Sequence, residues 1–347
     1  MAAKGLRWLL APLWAAQIFS GAKSFADNGV LGSERLNRRG LHAWRVALAQ
    51  RMADSRRRRL EHLVPEEDRA AFFRDGFVLK RDFLPPELFR AVVAELESFT
   101  APAREMKQGD AVTRRIALDP DALKALPACA AMARLPAFQN LMRYIASFDA
   151  EPIIYVQTVF AQVDSSKADP QTALHADCFH PSLKAWLFLH DVEEDAGPFV
   201  YVPGSQRQTP RRLAWEKRMS VLASSLDRLS ARGSFRVRPG DLKRMRLPEP
   251  KKFAVPANTL VAADTSGFHA RGASARPSVR VEIWAYSRRN PFLPWVGLDP
   301  WSLSLLRGRQ APIFWRLLDG LEKLGLGRSP WRKAGRITAA SPVRKAP

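Results

Sequence analysis

The sequence predicts an α+β fold in which an antiparallel β-sandwich or barrel carries helices packed on one side. Two observations point there. Apolar residues recur at helical spacing up to about residue 149, whereas from Pro152 onward the pattern shortens to β-rich runs separated by Gly, Pro and Asp turns. The 347 residues are 46% apolar and 26% charged, enough to bury a sizeable core. With only two cysteines, this composition excludes disordered, collagen-like and disulfide-stapled classes.

In chain order, residues 1–64 form a basic, Trp-containing N-terminal region. Its apolar run from Trp8 to Phe19 is interrupted by Pro12 and Gln17 and falls short of the ~20 residues that span a bilayer. With Lys4 and Arg7 ahead and Ser20-Gly21-Ala22 behind, the run has the form of a signal peptide. Lys23 to Leu63 reads as helical and ends in the run Arg56 to Arg59. A helix over 66–74, a turn at Asp75-Gly76, a strand Phe77 to Lys80 and a helix opened by Leu84-Pro85-Pro86 make an αβα entry. Residues 119–149 are again helical, with Leu126, Met132, Leu135, Phe138, Leu141, Met142 and Ile145 as the buried face. Strands are expected at Ile153 to Val163, Lys184 to His190, Phe199 to Val202, Phe235 to Val237, Phe253 to Ala263 and Ser278 to Ser287. A Trp/Leu-rich helical pattern from Pro294 to Gly327 precedes a tail from Ser329 that reads as disordered.

The net charge of +21 belongs to the ends. Residues 1–64 hold 12 Lys/Arg against 4 Asp/Glu and residues 288–347 hold 12 against 3, leaving +4 for the 223 residues between. Seven of the ten tryptophans share those flanks. Tryptophan beside cations and short apolar runs suits an anionic membrane surface, and the competing reading is a pair of solvated helices packed on the domain. No zinc-finger spacing, aromatic RNA-binding signature or helix-turn-helix supports a nucleic-acid partner.

Chemistry concentrates around the histidines. His175 and Asp177, two residues apart, project from one face of an extended strand and can share a metal ion. His269, after the expected strand at Thr259 to Asp264, supplies a third ligand. Two imidazoles and a carboxylate on one face leave three positions open, the arrangement of non-haem Fe(II) oxygenases. A 2-oxo acid chelating two of them needs a cation for its far carboxylate, and Arg280, eleven residues after His269, is placed to be that cation. The alternative for Arg280 is a structural pair with an acid. His180 offers a rival zinc set with His175 and Asp177, although Pro181 argues for a pocket role. His190 reads as a strand-end histidine, and Cys129 and Cys178 as buried thiols.

Residues 175–206, from His175-Ala176-Asp177 through Pro203-Gly204-Ser205-Gln206, resemble the core of the phytanoyl-CoA dioxygenase family of Fe(II)/2-oxoglutarate oxygenases. Asp75-Gly76-Phe77 with the Phe83-Leu84 helix, and the segment from His269 to Arg280, add to the likeness. The resemblance implies a double-stranded β-helix (jelly roll) core with flanking helices. It implies His175, Asp177 and His269 as iron ligands, Arg280 as the partner of the 2-oxoglutarate carboxylate and Trp186 beside the cosubstrate. Gln157 and Tyr155 would line the same cavity. Departures are Gln206, where the family often has His, and Arg271, where it often has Ser or Asn. Arg271 reads either an acidic substrate or plain surface charge. Asp177 is intact, whereas relatives that transfer halogen replace that carboxylate, so hydroxylation is expected.

The chain therefore divides into the basic N-terminal region 1–64, a catalytic jelly roll 65–290, and a basic helix with tail 291–347. Expected is an Fe(II)/2-oxoglutarate- and O2-dependent hydroxylase of a small-molecule or lipid substrate, the preferred class being a membrane lipid or lipid-linked glycan. A cytoplasmic position, peripheral on the inner face of the membrane, follows from the cytosolic supply of both cosubstrates and argues against the signal peptide. A soluble acyl-CoA or metabolite hydroxylase and a catalytically silent membrane adaptor are the alternatives.

Overall fold

The computed structural model describes residues 10–163 and 168–343, so Lys4, Arg7 and Trp8 of the N-terminal run lie outside the described residues. The strands are β1 Phe77–Lys80, β2 Ala101–Gln108, β3 Ala111–Ala117, β4 Ile153–Ala161, β5 Leu183–Phe188, β6 Phe199–Tyr201, β7 Lys251–Phe253, β8 Thr259–Asp264, β9 His269–Arg271, β10 Ser278–Ser287 and β11 Arg332–Ile337. An eight-stranded antiparallel sheet runs β1-β8-β5-β10-β4-β3-β2-β11, and a smaller one runs β7-β6-β9. Backbone bridges from His175 to His269 and to Arg236 widen the smaller sheet beyond β9.

Side-chain alternation explains how the sheets stack. Trp186 and Phe188 of β5, Val261 and Ala263 of β8, and Trp284 of β10 meet Phe199, Tyr201 and Phe253 of the smaller sheet. Their neighbours Leu183, Ala185, Leu187, Leu260, Ala262, Ile283 and Ala285 face the helices instead. Burial of each such large apolar side chain contributes about 1.5–3 kcal/mol, so this two-faced sheet is the centre of stability. The fold is the jelly roll with flanking helices.

The expected helical stretch 119–149 is three helices, Pro120–Ala125, Pro127–Arg134 and Pro136–Ala146. Each opens on a proline, which suits the first helical turn and cannot continue a preceding one. Met132, Phe138, Leu141, Met142 and Ile145 are buried as the periodicity predicts.

Several expectations are corrected. Lys23 to Ser33 is not helical: the Asn28 side chain accepts from the Val30 and Leu31 amides, holding a turn, and the helices are Glu34–Arg38 and Leu41–Leu60. The run Phe253 to Ala263 splits into β7 and β8 around Asn258, whose φ is +59°. Phe235 to Val237 contributes only a bridge at Arg236. The C-terminal helix is confined to Gln310–Lys323, and the tail read as disordered instead pairs as β11 with β2. Strands β2 and β3 appear where no strand was expected.

The Leu41–Leu60 helix packs on the jelly roll through buried arginines. Arg45 donates to the carbonyls of Ile18 (2.8 Å), Ser20 (2.9 Å) and Ala22 (2.8 Å), strapping residues 18–22 down. Arg56 donates to Ser147 O and Pro291 O, both at 3.0 Å, while Arg58 and Arg59 remain exposed. No helix among the described residues is long and apolar enough to cross a membrane.

Candidate active site

His175 and His269 exchange backbone hydrogen bonds of 2.9 Å, one in each direction, which sets their rings side by side with centroids 4.6 Å apart. Asp177 follows His175 and is fixed by its amide donating to Thr265 O at 2.9 Å. Gly267 allows the approach to His269: a Cβ there would lie 1.9 Å from the Tyr201 hydroxyl. One ligand atom from each of His175, Asp177 and His269 lies within 4.8 Å of the others. His175 Nε2 is 3.8 Å from Asp177 Oδ1, and His269 Nε2 is 3.6 Å from Asp177 Oδ2.

The protons sit on the Nδ1 atoms, away from the centre of the group. His175 Nδ1 donates to Ala173 O (2.8 Å) and His269 Nδ1 to Gly267 O (3.0 Å), which leaves both Nε2 lone pairs directed at Asp177. His269 Nε2 is buried without any hydrogen-bond partner, a cost that a metal would relieve. Burial lowers the His269 pKa to about 4, and burial with the neighbouring imidazole holds His175 well below its usual value. Burial alone would raise the Asp177 carboxyl, but Lys184 at 2.6 Å and the two imidazoles outweigh it and keep it well below the carboxylate range. At neutral pH the set is two neutral imidazoles and one carboxylate.

These residues open onto a cavity of about 730 Å³ between the sheets. Tyr155, Gln157, Trp186, Arg271 and Arg280 all line it. Trp186 packs on Phe199 (ring centroids 4.2 Å apart, tilted by 32°), which lies against His269 (6.1 Å). Arg280 donates through Nε to the fully buried Glu282 (2.8 Å) and through a terminal nitrogen to Gly197 O. Gln157 donates to the other Glu282 oxygen at 2.7 Å. Arg271 is neither on the surface nor unpaired: it is bound to buried Asp169 at 2.6 Å in the cavity wall.

His180 stays out of the ligand set, its Nδ1 donating to Pro181 O at 3.0 Å. His190 is exposed, Cys129 and Cys178 are buried free thiols, and the buried Gln206 amide donates to Phe72 O and Phe73 O.

Three cavity residues escaped the sequence reading. Lys184 carried a signal, since it shares the inward face of β5 with Trp186. Lys23 carried none: the strap held by Arg45 brings its Nζ to Asp177 O from 154 residues away. Arg115 stands on β3, a strand without apolar alternation, with its guanidinium 3.8 Å from the Trp284 ring centroid.

Residues 72–225 match the family model described as phytanoyl-CoA dioxygenase (PhyH), in agreement with the resemblance read from the motifs. The matched span contains His175 and Asp177 and ends before His269 and Arg280. Among curated proteins none is a significant match. Similar solved structures include the epimerase SnoN with Fe3+, alpha ketoglutarate and nogalamycin RO, at 19% identity over 64% of this chain and 82% of that one, TM-score 0.42. The alpha ketoglutarate dependent carbocyclase SnoK is 18% identical over 64% and 83%, TM-score 0.40. HygX from Streptomyces hygroscopicus, with nickel, 2-oxoglutarate and hygromycin B, is 16% identical over 64% and 86%, TM-score 0.38.

Proposed function

We propose that this chain, which matches the phytanoyl-CoA dioxygenase model over residues 72–225, is an Fe(II)/2-oxoglutarate-dependent dioxygenase that hydroxylates an unactivated C–H bond. The observation that carries the reading is the His175, Asp177, His269 set, with both Nδ1 atoms anchored to carbonyls and the buried Nε2 of His269 unpartnered. His175, Asp177 and His269 would hold iron, and Arg280 would face the 2-oxoglutarate carboxylate. When bound, iron and 2-oxoglutarate supply the oxidising chemistry: O2 is consumed, 2-oxoglutarate becomes succinate and CO2, and one oxygen atom enters the substrate C–H bond.

The protein's own contribution is placement and charge. Lys184 holds Asp177 ionised and limits its rotation at 2.6 Å. Glu282 and Gly197 fix one edge of the Arg280 guanidinium, so the charge is aimed before any anion arrives. Phe199, Trp186 and Trp284 exclude water from the inner wall.

A membrane lipid is the substrate class favoured, because exposed apolar side chains line the cavity and the C-terminal stretch that carries them exposes more. Ile313, Phe314 and Leu317 line the cavity, and Phe314 and Leu317 are also more than half exposed. In the same C-terminal stretch Leu298, Leu303, Leu305, Leu324 and Leu326 are exposed, as are Arg316, Lys323 and Arg328. Apolar side chains among cations are what an anionic bilayer surface binds.

The test is succinate formation from 2-oxoglutarate by the anaerobically Fe(II)-loaded chain, with His175→Ala and Asp177→Ala beside it. Iron-dependent succinate is expected from the intact chain, with a fall of about 100-fold or more in each variant. A chain that binds neither iron nor 2-oxoglutarate, or variants that retain full turnover, would end the proposal.

A further inference from the structure

Six cations besides Arg115 line the cavity, and most have a partner in the protein. Lys184 is paired with Asp177, Arg271 with Asp169, Arg280 with Glu282 and Arg289 with Asp299. Lys23 donates to a carbonyl, and Arg288 is exposed with its charge beside Cys178. Arg115 is held differently, among aromatic rings and by a single hydrogen bond. Its Nε donates to Gln157 Oε1 at 2.9 Å, and Gln157 is itself held through Glu282. Its two terminal nitrogens have no acceptor among the described residues, and neither is sealed from the cavity.

The charge is nevertheless kept inside. Its guanidinium carbon lies 3.8 Å from the ring centroid of Trp284, 4.7 Å from that of Trp331 and 5.3 Å from that of Tyr155. Burial lowers its pKa only to about 10, so it is cationic at neutral pH. Aromatic faces stabilise a guanidinium, but they accept none of its terminal N–H bonds and neutralise none of its charge. A half-buried, oriented cation with free donors in a cavity is a receptor for an anion. Apolar side chains share the lining with it, among them Ile153, Tyr155, Ile313, Phe314 and Leu317.

We infer that Arg115 seats the anionic group of the substrate, an amphipathic organic anion bearing a carboxylate, sulfate or phosphate on an apolar body. The inference rests on reading this cavity as the oxygenase active site. The carboxylate of the cosubstrate shares the same chemistry, and the experiment separates the two.

Decanoate and decanol are titrated into the full chain by calorimetry and by tryptophan fluorescence, since Trp186, Trp284, Trp301 and Trp331 line the cavity. Both titrations are done with and without saturating 2-oxoglutarate. The intact chain is expected to bind decanoate at least about tenfold more tightly than decanol in both conditions. Arg115→Gln is expected to remove that preference while leaving decanol and 2-oxoglutarate affinity within about twofold. Arg115→Met, which keeps an apolar stem against Trp284, gives the same comparison if the glutamine variant folds poorly. The inference is overturned if decanoate and decanol bind the intact chain alike, if decanol affinity falls as much as decanoate affinity, or if 2-oxoglutarate displaces decanoate or loses its own affinity in the variant. Decanoate binding through Arg115 by a chain that binds neither iron nor 2-oxoglutarate would uphold the anion site and remove the oxygenase reading.

Discussion

Asp264 offers no atom to a metal, yet the candidate site hangs on it. Its Oδ1 accepts from the amides of Ser182 (3.1 Å) and Ser266 (3.0 Å) and from the Ser266 hydroxyl (2.8 Å). Ser182 leads into β5 and Lys184, and Ser266 leads through Gly267 to His269, so one fully buried carboxylate sets the spacing of both segments. Its Oδ2 is matched by Arg57 at 3.2 Å, which also donates to Ile145 O at 2.8 Å. Removing one member of a buried pair leaves the other charge desolvated and unmatched, at a cost of about 3–5 kcal/mol. Arg57→Ala should therefore lower the unfolding free energy by about 3 kcal/mol, measured by denaturant titration, and weaken iron binding as the Ser266 turn loosens. An exposed neighbour, Arg58→Ala, should change stability by less than about 0.5 kcal/mol. Equal effects of the two would show that the Arg57–Asp264 pair contributes nothing. The sequence shows four consecutive arginines and does not say which face the core, because the partner of Arg57 lies 207 residues away.

At the scale of elements, β5, β8 and β10 were legible because both of their faces are buried and apolar or aromatic residues fill them. That His175, Asp177 and His269 come together was legible for a related reason: His175 and Asp177 are local in sequence, and His269 follows a strand that the pattern marks. β2 and β3 were not, since Ala101–Gln108 and Ala111–Ala117 alternate small and charged residues whose burial comes from long-range partners. β11 was still less visible, with Gly335 at φ +87° and three cations in six residues. Its role emerges from what it covers. Arg114, almost wholly buried on β3, donates to Thr338 O (3.2 Å) and Ala339 O (3.0 Å), while Thr158 on β4 also donates to Ala339 O (2.9 Å). Removing residues 329–347 would strip those acceptors, expose the edge of β2 and free Trp331 from Arg115. A fall in melting temperature of about 5–10 °C with loss of monomer in size-exclusion chromatography is expected. An unchanged melt would show the segment to be a dispensable tail.

For the whole molecule, the question is where a net charge of +21 meets the outside. The basic N-terminal end spends part of its charge internally, since Arg45, Arg56 and Arg57 are buried against carbonyls and Asp264. At the other end Arg289, Arg309, Arg332 and Lys333 are paired with Asp299, Asp121, Glu322 and Asp319. Arg316, Lys323 and Arg328 have no carboxylate within ion-pair distance among the described residues. Leu303, Leu305, Leu324 and Leu326, in the same C-terminal stretch, are each at least 62% exposed. Each cation near an anionic lipid surface adds about 1 kcal/mol, and that gain is screened by salt, whereas leucine insertion is not. The full chain should therefore sediment with phosphatidylglycerol vesicles far more than with phosphatidylcholine vesicles, and binding should fall with added salt without vanishing. Replacing Leu303, Leu305, Leu324 and Leu326 together with serine should reduce binding about tenfold or more and leave the melt unchanged, since none of the four is buried. If the serine variant bound as well as the parent, attraction would be purely electrostatic and this face would not be the one that meets the bilayer. A lipid substrate entering past Phe314 and Leu317 would then lose its support, while the iron and 2-oxoglutarate chemistry would stand on its own test.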